Sequence, residues 1–267
     1  MDQTIMHLIG NAVAMVRGDD TKPDHTGNHN MATSDHLIFL VDVDNTLLDN
    51  DRYADDLTAQ LDHAFGAEER ERYWSIYKHR FEVHGYADYL GALQTFREAC
   101  EKEQALLKMS AFLLEYPFTK RIYPGALKAL EHLRTIGRTA LLSDGDIVFQ
   151  PRKIQRSGLW DAVAGEVMIC VHKERELEAI QRRFPAAHYV MIDDKPRLLS
   201  ASKRVLGQHL TTVFIRQGHY ANAYERTTDE PAPDLCIEHI ADLCDFTEED
   251  FRDAASHAAS AGHDRTA

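Results

Sequence analysis

Cysteine is scarce in this chain, and what there is lies scattered. The 267 residues hold four, Cys100, Cys170, Cys236 and Cys244. No two form a C-x-x-C pair, and no spacing suits a metal site. They read as reduced core or half-buried thiols of a cytoplasmic protein, although spacing by itself leaves a pairing open. Positive charge is also short: 30 Lys and Arg stand against 43 Asp and Glu, a net of −13. A protein that grips a nucleic-acid backbone needs basic stripes, so that class is set aside. A small anionic substrate is not, because a local pocket can oppose the global sign. Long apolar runs are missing too. The apolar patch from Met6 to Val16 is too short to span a bilayer, and Asp2 is the only charge before it. Without a basic lead or a small-residue cleavage site it does not read as a signal peptide. No internal repeat is visible.

What is present is an ordinary soluble composition, 44% apolar, at a length that fits one domain with an insert or two small domains. Residues 1–35 are expected to be disordered, since Asp19 to Asp35 is polar, with Gly, Pro, Asn and His among its residues. His25 and His29 have a loose metal spacing but lie in that segment and are not expected to bind. Met31 stands just ahead of the first strand and is an alternative start.

Order begins with Ile38-Phe39-Leu40-Val41, which reads as a strand buried on both faces. It runs straight into Asp42-Val43-Asp44-Asn45-Thr46-Leu47-Leu48. After a polar turn the pattern is helical from Tyr53 to about Pro117, with Leu57, Leu61 and Phe65 four apart and Gly66 ending the first helix. Tyr73, Trp74, Tyr77 and Phe81 recur at helical spacing and are expected to fill the core of this block. From Pro124-Gly125 onward strand and helix alternate. Strands are expected at Thr139–Leu142, Val167–Val171, His188–Ile192, Thr211–Ile215 and, briefly, Leu235–Ile237. Helices are expected between them and from Asp242 to Ala254. Pro151 is expected to limit the helix over 147–156. This alternation predicts an α/β fold, a Rossmann-like parallel sheet with helices on both faces, carrying an inserted all-helical domain. The core is assigned to 36–50 and 118–252, the helical insert to 51–117, and a frayed tail to 253–267.

Four of the expected strands end in chemistry: Asp42 and Asp44, Ser143, Lys173, and Asp193 with Asp194. Residues at i and i+2 of a strand point the same way, so Asp42 and Asp44 can reach one site. In a parallel sheet all carboxyl ends lie on one edge. Four carboxylates would repel and take up protons unless a cation neutralised them. Mg²⁺ suits one or two carboxylates with phosphate oxygens completing its shell. A lysine and a metal would offset a phosphate monoester's charge, after which one carboxylate can attack and a second can carry the proton. Each feature has a plainer reading, as a turn pair, an N-cap or a solvated charge; their coincidence on successive strand ends does not.

The order and spacing of these motifs resemble the haloacid dehalogenase superfamily in its phosphatase branch, over about residues 38–216. Asp42-Val43-Asp44-Asn45-Thr46 resembles the family's first motif, Ser143 the second, Lys173 the third and Asp193-Asp194 the fourth. The helical insert resembles the family's helical cap of the first insertion type. The resemblance implies that Asp42 is the nucleophile and a metal ligand. Asp44 would be the general acid and base and lend its backbone carbonyl to the metal, while Thr46 would orient the loop and help hold phosphate. Ser143 would bind a phosphoryl oxygen, helped by backbone N–H groups at Asp144 and Gly145. Lys173 would stabilise nucleophile and phosphate. Asp194 would bind Mg²⁺ directly, Asp193 directly or through water. The chain departs from the family in lacking a further acid after the doublet, and in Asp144, whose carboxylate is expected to turn away from a phosphate.

The expected activity is thus a cytoplasmic, Mg²⁺-dependent hydrolysis of a small phosphorylated metabolite through an aspartyl-phosphate, with no nucleic-acid or membrane partner. A phosphotransferase or mutase, a 2-haloacid dehalogenase and a silent binding protein are the alternatives. His172, Arg216 and His219 are expected at the surface. Substrate identity and oligomeric state are not legible.

Overall fold

The computed structural model describes residues 37–222 and 231–263. The apolar patch at Met6–Val16, the polar segment with His25 and His29, and Met31 lie outside the described residues. Six strands form one parallel sheet: β1 (Leu37–Val41), β2 (Arg138–Asp144), β3 (Val167–Cys170), β4 (His188–Asp193), β5 (Leu210–Ile215) and β6 (Leu235–Ile237), in the order β3-β2-β1-β4-β5-β6. The chain order reverses beside β1, so β2 and β4 flank it on either side. Ligands bind at such a switch point, beyond the strands' carboxyl ends.

β1 occupies the middle because all five of its residues can be buried, and all are. Alternate side chains take opposite faces. Leu37, Phe39 and Val41 join one apolar cluster, Ile38 and Leu40 a second. Helices cover both faces. α5 (Ala126–Ile136), α6 (Phe149–Ser157), the short α7 (Leu159–Ala162) and α10 (Glu248–His263) supply the first cluster; α8 (Leu177–Arg183) and α9 (Pro196–Leu206) supply the second. The central strands are thereby covered on both faces, as a parallel sheet requires, while the edge strand β3 is only partly buried.

Four helices stand between β1 and α5: α1 (Asn50–Phe65), α2 (Ala67–His84), α3 (Tyr89–Phe96) and α4 (Glu103–Glu115). α1 buries Tyr53, Leu57, Leu61 and Phe65, one stripe at four-residue spacing, and Asp49 caps it by accepting from the Arg52 N–H at 2.9 Å. Asp88 caps α3 and also pairs with Arg80 of α2. The first cluster runs without a break from the sheet into this helical block through Tyr53, Tyr89, Phe118 and Phe149. The aromatic run of α2 divides along its length. Tyr73 is fully buried, Trp74 and Tyr77 pack partly, and Phe81, near the helix's end, is 38% exposed on a cleft.

Two local expectations shift. Pro151 does not limit its helix: it sits in the first turn of α6, where a missing N–H costs no helical bond, and Asp146 takes the N–H groups of Val148 and Phe149. The last helix starts after a 3₁₀ segment at Ile240–Asp245 and continues to His263, beyond the point where a frayed tail is expected. Its Ala-rich sequence favours helix. All four cysteine thiols are free. Among the described residues no helix is long and apolar enough to cross a membrane.

Candidate active site

The carboxyl ends of β1, β2 and β4, with the turn after β3, bring the motif residues together. Lys173 stands at the start of a 3₁₀ turn, is 1% exposed, and places its ammonium between Asp42 Oδ1 and Asp193 Oδ2, the latter at 2.6 Å. Asp42, Asp193 and Asp194 each offer a carboxylate oxygen, all within 4.8 Å of one another. The two acids of the doublet differ. Asp193 is occupied, with Oδ2 on Lys173 and Oδ1 accepting from the Lys195 N–H at 2.9 Å. Asp194 is fully buried with neither oxygen hydrogen-bonded, and Asp42 Oδ2 is likewise without a partner. Buried carboxylate oxygens are costly to leave unpaired. With one oxygen from each of the three carboxylates within 4.8 Å of the others, the cluster fits a divalent cation, with Asp42 and Asp194 as its natural ligands.

Electrostatics agree with that fit. Burial drives the Asp42 carboxyl up to about 6 although the Lys173 ammonium pulls it down. Burial pushes Asp194 further, to about 9, with Asp193 and Asp42 adding repulsion. Desolvation by itself would lower Lys173, but Asp193 and Asp42 outweigh it and hold the ammonium well above its usual range. Lys195 adds a second, more distant positive charge, yet Asp42 and Asp194 stay raised, and their unpaired oxygens leave room for a cation.

The Asp44 carboxylate faces away from this triad. Oδ1 accepts from Lys153 Nζ at 2.7 Å, and Oδ2 accepts from Gln150 Nε2 at 3.0 Å. Any contribution of Asp44 to a metal is thus left to its backbone carbonyl. Ser143, 1% exposed, accepts from the same Gln150 amide at 2.8 Å. Asp144 turns one carboxylate oxygen onto the Lys173 N–H at 2.9 Å and so fixes the turn that carries the lysine. Thr46 is fully buried and its hydroxyl has no partner. Gly145 donates its N–H to the Cys170 carbonyl at 3.0 Å, which ties the β2 end to β3.

The loop after β1 is held by Asn45. It adopts φ 61°, in the left-handed region that asparagine tolerates. Its Oδ1 accepts from the N–H of Asn50 at 3.0 Å, and its Nδ2 donates to Asp51 at 3.0 Å. Gly218, at φ +71°, backs onto it, and a Cβ there would stand 2.5 Å from Asn45 Cβ. Gly218→Ala is therefore expected to displace the loop and lower turnover by about tenfold or more, since small misplacements at a reacting centre are costly. Steady-state rates beside a thermal midpoint check this; an unchanged kcat would show that the loop does not depend on this contact. His219 is exposed, as expected, yet it engages the same loop by pairing with Asp51 at 2.6 Å.

Several residues here escaped the sequence reading. Lys153 and Gln150 are fully buried, and the signal was available: α6 buries Phe149, Gln150, Lys153, Ile154 and Ser157, a helical stripe with polar members. Lys195 is half-buried directly after the doublet. Asp42 and Asp193 raise its pKa against the cost of burial, and its ammonium lies 5.4 Å from the Tyr220 ring centre. A cleft of about 800 Å³ opens beside these residues, lined by Asp144, His172, Lys195 and Tyr220 and, from α2 and its end, by Phe81 and Gly85. It is bounded by both the sheet's edge and the helical block.

Fold, switch-point site and buried triad together define a hydrolase of the haloacid dehalogenase type. The chain belongs to that family: the model of the haloacid dehalogenase-like hydrolases matches residues 37–205. A solved structure from Burkholderia xenovorans LB400, described as a haloacid dehalogenase-like hydrolase, is 52% identical, with a TM-score of 0.74 over 79% of this chain and 98% of its own. A haloacid dehalogenase-like hydrolase from Xanthomonas campestris is 18% identical with a TM-score of 0.60, over 85% of this chain and 94% of its own. An L-2-haloacid dehalogenase is 20% identical with a TM-score of 0.51, over 79% of this chain and 98% of its own. The last two likenesses speak for the fold alone. No curated protein matches the chain.

Proposed function

We propose that this hydrolase is a Mg²⁺-dependent phosphatase of small phosphomonoesters that works through an aspartyl-phosphate on Asp42. The observation that carries the reading is the presence of a second acid, Asp44, two residues after Asp42 of a buried triad whose free oxygens fit a cation. Attack on a carbon–halogen bond needs neither. The fold-level likeness to an L-2-haloacid dehalogenase does not bear on this choice, because the chemistry lives in the side chains.

When bound, the cation would be held by Asp42 and Asp194 and would offset phosphate charge. The Asp42 carboxylate attacks phosphorus, and the bond from phosphorus to the ester oxygen breaks. Asp44, entering this step protonated, gives that oxygen its proton and is left as the carboxylate. Asp44 then takes a proton from water, water oxygen bonds to phosphorus, and the bond between phosphorus and Asp42 breaks to return the free carboxylate. Lys173 and the Ser143 hydroxyl hold the phosphoryl oxygens through both steps. Asp193 serves by fixing Lys173. The helical block would act as a cap over the cleft and limit water during the first step.

The test is release of inorganic phosphate from sugar phosphates, nucleotides, phosphoglycolate and flavin mononucleotide, with magnesium and with chelator. Metal-dependent release from one class is expected. Halide release from a 2-haloacid without metal, and no phosphate release, would replace this reading with the dehalogenase one.

Metal binding carries its own pH signature. Asp42 and Asp194 have folded pKa values above the ordinary 3.8. The folded protein therefore keeps protons that the unfolded chain has lost. Their contribution to stability is greatest below that ordinary value and declines as pH rises through 6 and then 9. A divalent cation replaces those protons. The rise in thermal midpoint on adding saturating magnesium is expected to be larger near pH 9 than near pH 6, with protons released on binding. A midpoint shift independent of pH would remove the triad as the binding site.

A further inference from the structure

The environment of Lys153 is not accounted for by stability. Its side chain is wholly buried, and its ammonium lies 5.3 to 5.9 Å from the ring centres of Phe149, Tyr53 and Phe118. Its ion-pair partner is Asp44 at 2.7 Å. An apolar residue of similar volume in such a place is often as stable or more so, because the desolvation of a buried ion pair consumes most of its attraction. A lysine among three rings therefore answers to something else. The two groups it joins, and the neighbour that shares one of them, say what. Nζ donates to Asp44 Oδ1 and, at 2.9 Å, to Oδ1 of Asn50, the first residue of α1. Gln150, one helical turn before it, spans from Asp44 Oδ2 to the Ser143 hydroxyl.

We infer that Lys153 is a positioning residue for Asp44, aiming its carboxyl at the leaving-group oxygen, and that Gln150 keeps it in register with the phosphate-holding Ser143. This rests on the phosphatase reading above and adds to it a part that the four motifs do not contain. A carboxyl fixed at one oxygen by a buried ammonium retains a single orientation. The other oxygen is held only by the neutral Gln150 amide, at 3.0 Å, and is the one left to serve a leaving group. Asn50 anchors the same ammonium to the start of the helical block, so the aim of Asp44 depends on where that block begins.

The inference separates from a merely structural role through the leaving group. Phenolate needs protonation as it departs far more than p-nitrophenolate does. In Lys153→Met, kcat for phenyl phosphate is expected to fall by roughly 10²-fold, and for p-nitrophenyl phosphate by only about threefold, with KM little changed. Lys153→Arg is expected to recover part of the difference. Adding Lys153→Met to Asp44→Asn is expected to cost nothing further, because the positioned group is already gone. Gln150→Met keeps the buried ion pair, and so the fold, and is expected to show the same selectivity at smaller amplitude. An equal loss on both esters in Gln150→Met and in any folded Lys153 variant would overturn the inference and leave the phosphatase reading standing. A wild-type chain that hydrolyses neither ester with magnesium would overturn both.

Discussion

Asp42→Asn is expected to abolish phosphate release while leaving the fold in place. A carboxamide has the size of the carboxylate but does not attack phosphorus, and the covalent route closes. Losing a nucleophile that acts as part of a unit costs on the order of 10⁴-fold or more in kcat. The fold survives because Lys173 retains Asp193 as an ion-pair partner at 2.6 Å, and because removing one charge from a crowded acidic cluster relieves repulsion. Burial already pushes the Asp42 carboxyl up to about 6, so its neutral replacement matches what the metal-free protein tolerates. The midpoint without metal is expected to be equal to or above that of wild type, with the magnesium-induced rise diminished. Phosphate release at more than a hundredth of the wild-type rate, a bound well inside the roughly 10⁴-fold expected loss, would reject Asp42 as the nucleophile.

Lys173→Met is expected to lower activity and stability together. Among the described residues the Lys173 ammonium alone makes direct ion pairs with both Asp42 and Asp193, and it is buried with them. Removing one partner of a buried ion pair leaves uncompensated charge at about 3–5 kcal/mol, which for a chain of this size is roughly a 10 °C fall in midpoint. The loss has a sign in pH. Without the ammonium the carboxyls rise further above 3.8, the ordinary value, so the folded state holds more protons than the unfolded one. The penalty is then small in acid and grows as pH rises. Magnesium is expected to restore part of the midpoint and none of the turnover, because a cation held by Asp42 and Asp194 does not reproduce a donor aimed at the phosphoryl group. Scanning calorimetry across pH, with and without metal, measures this; a midpoint equal to wild type at neutral pH would show that Lys173 is not the counter-charge of the cluster.

The same two residues show why the site was legible. Asp42 and Lys173 lie 131 residues apart in the chain, yet each follows an apolar run that is a strand or leads into one. Local pattern finds the strands, and parallel topology carries their ends to one edge. The pattern fails where a residue's meaning depends on what packs against it. Lys153 and Gln150 read locally as polar positions of an amphipathic helix. Pro151 read as a limit because its effect depends on whether it falls in a first turn. The run from Tyr73 to Phe81 read as uniform core, but only its first residue is fully enclosed and its last reaches the cleft.

Sequence alone determined the alternation of strand and helix, the helical insertion after β1, and the four strand ends that carry the acids, the hydroxyl and the lysine. These follow from short-range periodicity and from the single geometry that parallel strands allow. Tertiary structure alone decided which oxygens remain free, which acid of the doublet is engaged by Lys173, and that Asp44 is held by a buried lysine 109 residues away. Hydrogen bonds and ion pairs reach only a few ångströms, so they are settled by packing between elements that no local pattern records.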